Sequence, residues 1–315
     1  MTRPVKLALP LRDGVSASCI AVPAARPSTH SIGLLIDFLV AQMPGVGRDE
    51  WLARLHRGDV LDEQGLALPP AAPAQAGARI YYYRQIPDEA VIPFEAEILF
   101  QDELLLVADK PHFLPIMPAG RYVRETLLAR LKKSTGLDTL TPIHRLDRET
   151  AGLVLFSLQP ASRGAYHALF RERSAEKVYE AIAPFRPELT LPLTRRSRLQ
   201  ERADAFMQME ELAGEANAET QITLLAQHHE SASYELRPLT GQKHQLRVHM
   251  NALGLPIHGD RIYPQLRPEQ TEPDYTHPLQ LLAKSIAFTD PCTGQRRVFE
   301  TRLKLGGIDA TSRAA

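Results

Sequence analysis

Short apolar runs dominate the middle of the chain. The stretch from Thr141 to Ser157 begins as a polar, doubly basic loop and turns into Leu153-Val154-Leu155-Phe156. A run of that length and branching reads as a buried strand. Upstream, from Ile98, the segment ILFQDELLLVADKPHFLPIMP sets apolar strands around a Gln101-Asp102-Glu103 turn. Downstream, Lys177 to Ala183 alternates, with Lys177, Tyr179 and Ala181 on one face and Val178, Glu180 and Ile182 on the other. Thr220 to Gln227 and Ser233 to Pro238 predict an antiparallel pair around a His228-His229-Glu230 turn.

Helical spacing occurs between these runs. Ser31 is placed to cap a helix bearing Leu35, Phe38, Leu39 and Met43, which Pro44-Gly45 ends. Asp49 to His56 carries Trp51, Leu52 and Leu55 on one side. Arg124 to Ser134 turns Leu127, Leu128 and Leu131 inward and stops at Gly136. Pro160 opens a helix with Tyr166, Leu169 and Phe170. After Gly241 breaks a strand, Leu246, Met250 and Leu253 share a helix face that ends at Gly254. The pattern divides the chain into an extension (1–27), a small helix–helix–hairpin domain (28–90), a large domain (91–307) and a short tail (308–315), with Pro87 to Pro93 as linker.

Composition adds a few exclusions. At 315 residues, 44 % hydrophobic and 23 % charged, the chain has room for one large and one small domain. Two cysteines far apart, Cys19 and Cys292, fit a reducing compartment. No apolar run approaches a membrane span, and the N-terminus lacks a secretory pattern, so a cytoplasmic protein is expected. Net charge is zero, yet basic residues cluster at Arg121 to Lys133, at Arg163 to Arg173 and at Arg195 to Arg198. A local basic face is sufficient for phosphate contact.

The candidate chemistry centres on Asp147, which sits between Arg145 and Arg148. A neighbouring cation favours the charged form of a carboxylate. Such a group serves as a nucleophile or general base, or as half of a structural ion pair. His228, His229 and Glu230 invite a metal reading, but they are adjacent in a turn with no further ligand spaced to join them.

His144-Arg145-Leu146-Asp147-Arg148-Glu149-Thr150-Ala151-Gly152-Leu153 resembles the HRLDRxTSGLLL signature of the RluA-type pseudouridine synthases, with Ala151 where the family has serine. Leu236 to Met250 is similar to the family's LxPxTGRxHQLRVH segment, Lys177 to Ala181 to its Lys-x-Tyr-x-Ala strand, and Pro256 to Tyr263 to its PIxGDxLY turn. Leu281-Leu282-Ala283 and Phe288 to Pro291 match its closing strands. Asp109-Lys110-Pro111 keeps the family's opening turn, but Phe113 replaces a glycine and Met117 a histidine. Phe113 adopts a positive φ only at a cost, so a different local turn is expected. The small domain resembles an alpha-L RNA-binding module, with Asp62-Glu63 in a turn where acids repel phosphate.

The resemblance implies an α/β (α+β) fold: a mixed, mainly antiparallel sheet with flanking helices and an RNA cleft. It implies a monomer that isomerises uridine to pseudouridine in structured RNA without cofactor or metal. Large-subunit ribosomal RNA is the first expected target and transfer RNA the second. Asp147 is then the catalytic carboxylate, Arg247 its ion-pair partner and Tyr179 the support for the base. Arg145 fills the gap left by the flipped nucleotide, with His144, Arg148, Lys177, Lys110 and His244 as further RNA-side residues. Two other readings compete: an RNA-binding or assembly protein of the same fold, and a retaining glycosidase. The latter needs a second carboxylate about 5 Å from the first, for which Glu149 is the near candidate in sequence.

Overall fold

In the computed structural model, residues 9–24, 31–84, 86, 88–205, 207–268 and 273–306 are described; the expected tail lies outside them. Two compact units divide the chain. The first comprises residues 1–89, 120–124 and 129–138, and the second residues 90–119, 125–128 and 139–315.

In the first unit, β1 (Ser18–Ala21), β5 (Arg79–Tyr82) and β3 (Val60–Leu61) form a three-stranded sheet in the order β1-β5-β3, and β2 (Ser31–Leu34) pairs with β4 (Pro73–Gln75). Helices α1 (Leu35–Gln42) and α2 (Arg48–His56) supply Leu35, Leu39, Trp51 and Leu55 to its core. The first helix begins three residues later than its sequence suggests, with Leu34 at its N-cap position in place of Ser31. Ser31 is a strand residue rather than a cap, because β4 offers residues 31–34 a backbone partner. The Leu35 amide donates instead to the carbonyl of Ala72, which satisfies one of the donors a helix start leaves open.

The second unit is built on an eleven-stranded sheet. Its continuous path is β12 (Met209–Leu212), β11 (Leu193–Glu201), β13 (Ala218–His228), β14 (Ser231–Pro238), β10 (Glu176–Pro184), β15 (Leu281–Thr289), β9 (Ala151–Ser157), β7 (Leu105–Lys110) and β6 (Glu97–Gln101). Two short additions complete it: β8 (Thr141–Pro142) on β9 and β16 (Arg296–Glu300) on β15. Every pairing is antiparallel except β15 with β9, so the sheet is mixed and mainly antiparallel. Tyr166 and Leu169 of α4 (Arg163–Arg171) pack with Leu153, Leu155 and Phe288. Leu246 and Met250 of α5 (Gln245–Ala252) pack with Ile222, Tyr234 and Leu281.

Three elements start or bend differently from their sequence pattern. Helix α3 (Leu127–Thr135) begins three residues after Arg124, because the amides of Leu127 and Leu128 bond the carbonyls of Pro115 and Ile116 at 2.8 and 2.9 Å. Pro160 lies ahead of α4, whose first residue is Arg163. Phe113 does take the left-handed conformation, with φ of 67°, against the expectation that its side chain would force a different turn. Burial offsets the strain: its ring stacks on Phe94 at 6.0 Å and meets Tyr275 edge-on at 5.1 Å.

Gly152 pins the start of β9. It pairs with Lys110 of β7 on one side and with Ala283 of β15 on the other, at a φ of 110°. A Cβ there would fall on the backbone of Ala283. The close approach fixes where the loop before β9 leaves the sheet.

Candidate active site

The loop between β8 and β9 carries Asp147, and α5 brings Arg247 to it across 100 residues of sequence. Arg247 Nη1 donates to Asp147 Oδ2 at 3.1 Å. The rest of the guanidinium is held by Asp260, with Nε to Oδ2 at 2.8 Å and Nη2 to Oδ1 at 2.7 Å. Asp260 also accepts the amides of Ile262 and Tyr263. A bidentate carboxylate fixes the plane of an arginine, so one nitrogen points at Asp147. Burial alone would make Arg247 easier to deprotonate; the hydrogen bonds and charge of Asp260, then Asp147, instead raise its pKa above the ordinary value.

His244 completes this corner. It precedes α5 in a left-handed conformation with φ of 53°. The Met209 amide donates to the Tyr263 hydroxyl at 2.7 Å, which leaves the hydroxyl proton for His244 Nδ1 at 3.1 Å. That assignment puts the imidazole hydrogen on Nε2, 3.8 Å from Asp147 Oδ2. Burial holds the His244 pKa down at about 4, so the ring is a neutral donor at pH 7.

Asp147, Arg247 and His244 line a cavity of about 440 Å³ together with His144, Arg145, Lys177 and Tyr179. Tyr179 reaches it from β10, and burial followed by the Asp147 charge raises its pKa, keeping a phenol there at any ordinary pH. Six cations line the cavity: Arg145, Arg171, Arg173, Lys177, Lys243 and Arg247. Asp147 is the one carboxylate among its lining residues. Among the described residues, no three His, Cys, Asp or Glu side chains gather as a metal site.

Three expected RNA-side residues have other work. Lys110 is fully buried, and its ammonium donates to the carbonyls of Pro111, Leu114 and Arg148 at 2.9, 2.9 and 3.0 Å. It cannot touch RNA; it ties the turn after β7 to the loop that holds Asp147. Burial lowers its pKa to about 7, yet three carbonyl acceptors match the three hydrogens of the charged form. Arg148 does not line the cavity and donates to Glu149 at 2.8 and 2.6 Å. The guanidinium that holds Asp147 is therefore Arg247, not its sequence neighbour. His144 does line the cavity, but its ring stacks on Phe170 at 4.7 Å and its Nε2 accepts the Leu155 amide at 3.1 Å. Burial, then Lys177, lowers its pKa to about 4.

The second carboxylate that a glycosidase needs is missing from the lining residues. Glu149 is engaged by Arg148, and Asp260 is 5 % exposed and occupied by Arg247. Sequence reasoning gave Asp260 no role, although a buried guanidinium with five donors signals more than one acceptor.

A family model described as RNA pseudouridylate synthase matches residues 104–252. Over 215 residues the chain is 32 % identical to the dual-specificity RNA pseudouridine synthase RluA of Haemophilus influenzae, covering 65 % of this chain and 92 % of that one. The chain belongs to the RluA-type pseudouridine synthases. It is also 30 % identical to tRNA pseudouridine synthase C of Vibrio parahaemolyticus over 67 % of this chain and 92 % of the relative. Among solved structures, human RNA pseudouridylate synthase domain containing 4 superposes with a TM-score of 0.52 at 28 % identity, covering 67 % of this chain and 88 % of that one. The family makes this chain an isomerase acting on uridine in RNA.

Proposed function

We propose that Asp147 is the carboxylate that attacks the target nucleotide, held by Arg247, and that the target uridine lies flipped out in the cavity. An aspartate at the mouth of a sheet strand cannot reach a stacked base, so the nucleotide comes to it. Asp147 adds to the sugar or to the base, and the N1–C1′ bond breaks. The freed uracil turns over and bonds to C1′ through C5, and the bond between Asp147 and the nucleotide breaks to release the carboxylate. Loss of the C5 hydrogen and gain of one at N1 complete an isomerisation in which no atom is exchanged for another. Arg247 orients the carboxylate, Tyr179 supports the ring from β10, and Arg145 fills the space in the RNA stack. The observation that carries this reading is a single carboxylate, clamped by a doubly anchored arginine, in a cavity with six cations.

Of the two RNA classes expected from sequence, transfer RNA has the more direct support, because relatives are named as transfer RNA synthases. A ribosomal target is the second reading, left open by a relative whose name, dual-specificity RNA pseudouridine synthase, does not confine it to transfer RNA. Carbodiimide mapping by reverse transcription tests both. Total RNA from a strain lacking the gene is treated with the wild-type protein or with Asp147→Asn. The expected result is a new pseudouridine made by the wild type and at least about 10³-fold less by Asp147→Asn, the scale of losing a covalent catalyst. Equal activity of the two proteins removes Asp147 from the chemistry.

A further inference from the structure

The cations around the cavity fall into two groups. Arg247 is committed to Asp147 and Asp260, Lys243 donates to Glu201 at 2.9 Å, and Arg171 donates to Glu172 at 2.9 Å. Arg145, Arg173 and Lys177 have no carboxylate within ion-pair distance among the described residues. Carboxylates next to the last two in sequence are turned elsewhere: Glu172 to Arg171, and Glu176 to Arg296 at 2.7 Å.

Arg173 and Lys177 also face a common space. Arg173 follows α4 in a left-handed conformation, with φ of 58°, that turns the chain towards β10. A non-glycine residue there carries strain of about 1 kcal/mol or more, and such strain gathers at functional sites. Lys177 lies four residues on, near the start of β10, half-buried, with one hydrogen bond to the Thr240 carbonyl at 3.1 Å. Two ammonium hydrogens remain for a ligand. Burial, then the charge of Arg173, lowers the Lys177 pKa to about 8, so the two cations feel one another. Gly241, which lines the same cavity, has open space where a side chain would be. A pair of like charges kept together without a carboxylate, beside an open backbone, is an arrangement that an anion relieves.

We infer that Arg173 and Lys177 form a subsite for one backbone phosphate of the RNA, the phosphate beside the nucleotide seated at Asp147. The inference rests on the RNA reading above and names a contact within it. The phosphate oxygens take two Lys177 hydrogens and the Arg173 guanidinium, and Arg145 remains free for the gap in the base stack. Phosphate contact carries no sequence information, so the subsite sets register and affinity rather than choice of target.

The test measures binding of fluorescein-labelled decauridylate to the full chain by anisotropy, from 50 to 400 mM KCl. Arg173→Gln, Lys177→Gln and the double variant are compared with wild type. The double variant is expected to bind about five-fold more weakly at low salt, and its log–log salt slope to be shallower by about 0.7, the value for one single-strand phosphate. Lys177→Arg keeps the charge and is expected to keep the slope. Arg173→Gln alone, at an exposed position with the same backbone demand as arginine, covers a loss of folding at Lys177. An unchanged slope in the double variant, or a wild-type protein that does not hold the decauridylate, overturns the subsite. Carbodiimide mapping on the same preparations separates the two readings. An active wild type with an unchanged variant slope removes the subsite alone; an inactive wild type with the expected slope change removes the role of Asp147 and leaves the subsite.

Discussion

At the scale of single residues, the site depends on a carboxylate that makes no contact with the cavity. Asp260 gives both oxygens to Arg247 and takes two backbone amides, so it sets where the guanidinium points. Asp260→Asn keeps the volume but withdraws the charge and one acceptor. The expected cost is about 3 kcal/mol of stability, since a buried guanidinium is left partly uncompensated. A urea melt should show it, together with a fall in kcat; a variant with an unshifted midpoint would mean that Asp147 alone suffices for Arg247. Asp147, Tyr179 and Arg247 were legible in the sequence because they stand in continuous strings that match a family. Asp260 stood in such a string too, yet its partner is 13 residues away around a turn, and no periodicity links the two. Lys110 misled for the opposite reason: a lysine in a polar turn reads as exposed, whereas three converging carbonyls make burial tolerable.

At the scale of elements, the position of the Asp147 loop depends on how β9 enters the sheet. Gly152 is squeezed between β7 and β15, and Lys110 bonds the Arg148 carbonyl within the same loop. Gly152→Ala would drive a methyl group into the Ala283 backbone at a φ that alanine avoids. The expected loss is about 3 kcal/mol or more, read as a drop in melting temperature with low soluble yield; a variant that melts like wild type would show that β15 yields at this point. The strands β7, β9, β10, β13 and β14 were readable from alternation and apolar runs. The parallel pairing of β9 with β15 joins residues 131 apart, as in Leu282 with Ala151, and leaves no local trace. The strand at Ser31 was hidden for a related reason, since only its pairing with β4 outweighs a good capping residue.

At the scale of the whole molecule, three histidines tie stability to pH. His144, His244 and His249 each have a folded pKa of about 4, chiefly through burial, against 6.5 for the free side chain. Between these values the unfolded chain binds protons that the folded chain refuses. Stability should therefore fall as pH drops from 6.5 towards 4, level off for these groups below 4, and be unaffected by them above 6.5. Urea midpoints at pH 7.5, 6 and 5 check this, and equal midpoints at all three would exclude it. The same neutral rings mean that none of the cavity's positive charge comes from histidine at pH 7. Charge is distributed very unevenly over a chain whose total is zero. Six cations and one carboxylate share one cavity, so its field is set by the local arrangement rather than by the pI of about 7.2. A practical result follows at the bench. Chromatographic behaviour will not track the isoelectric point: a heparin column should retain the protein at a pH where a neutral molecule would flow through. Material lysed in dilute buffer should carry cellular nucleic acid, seen as a high ratio of absorbance at about 260 to 280 nm, and a wash in about 1 M salt should strip it.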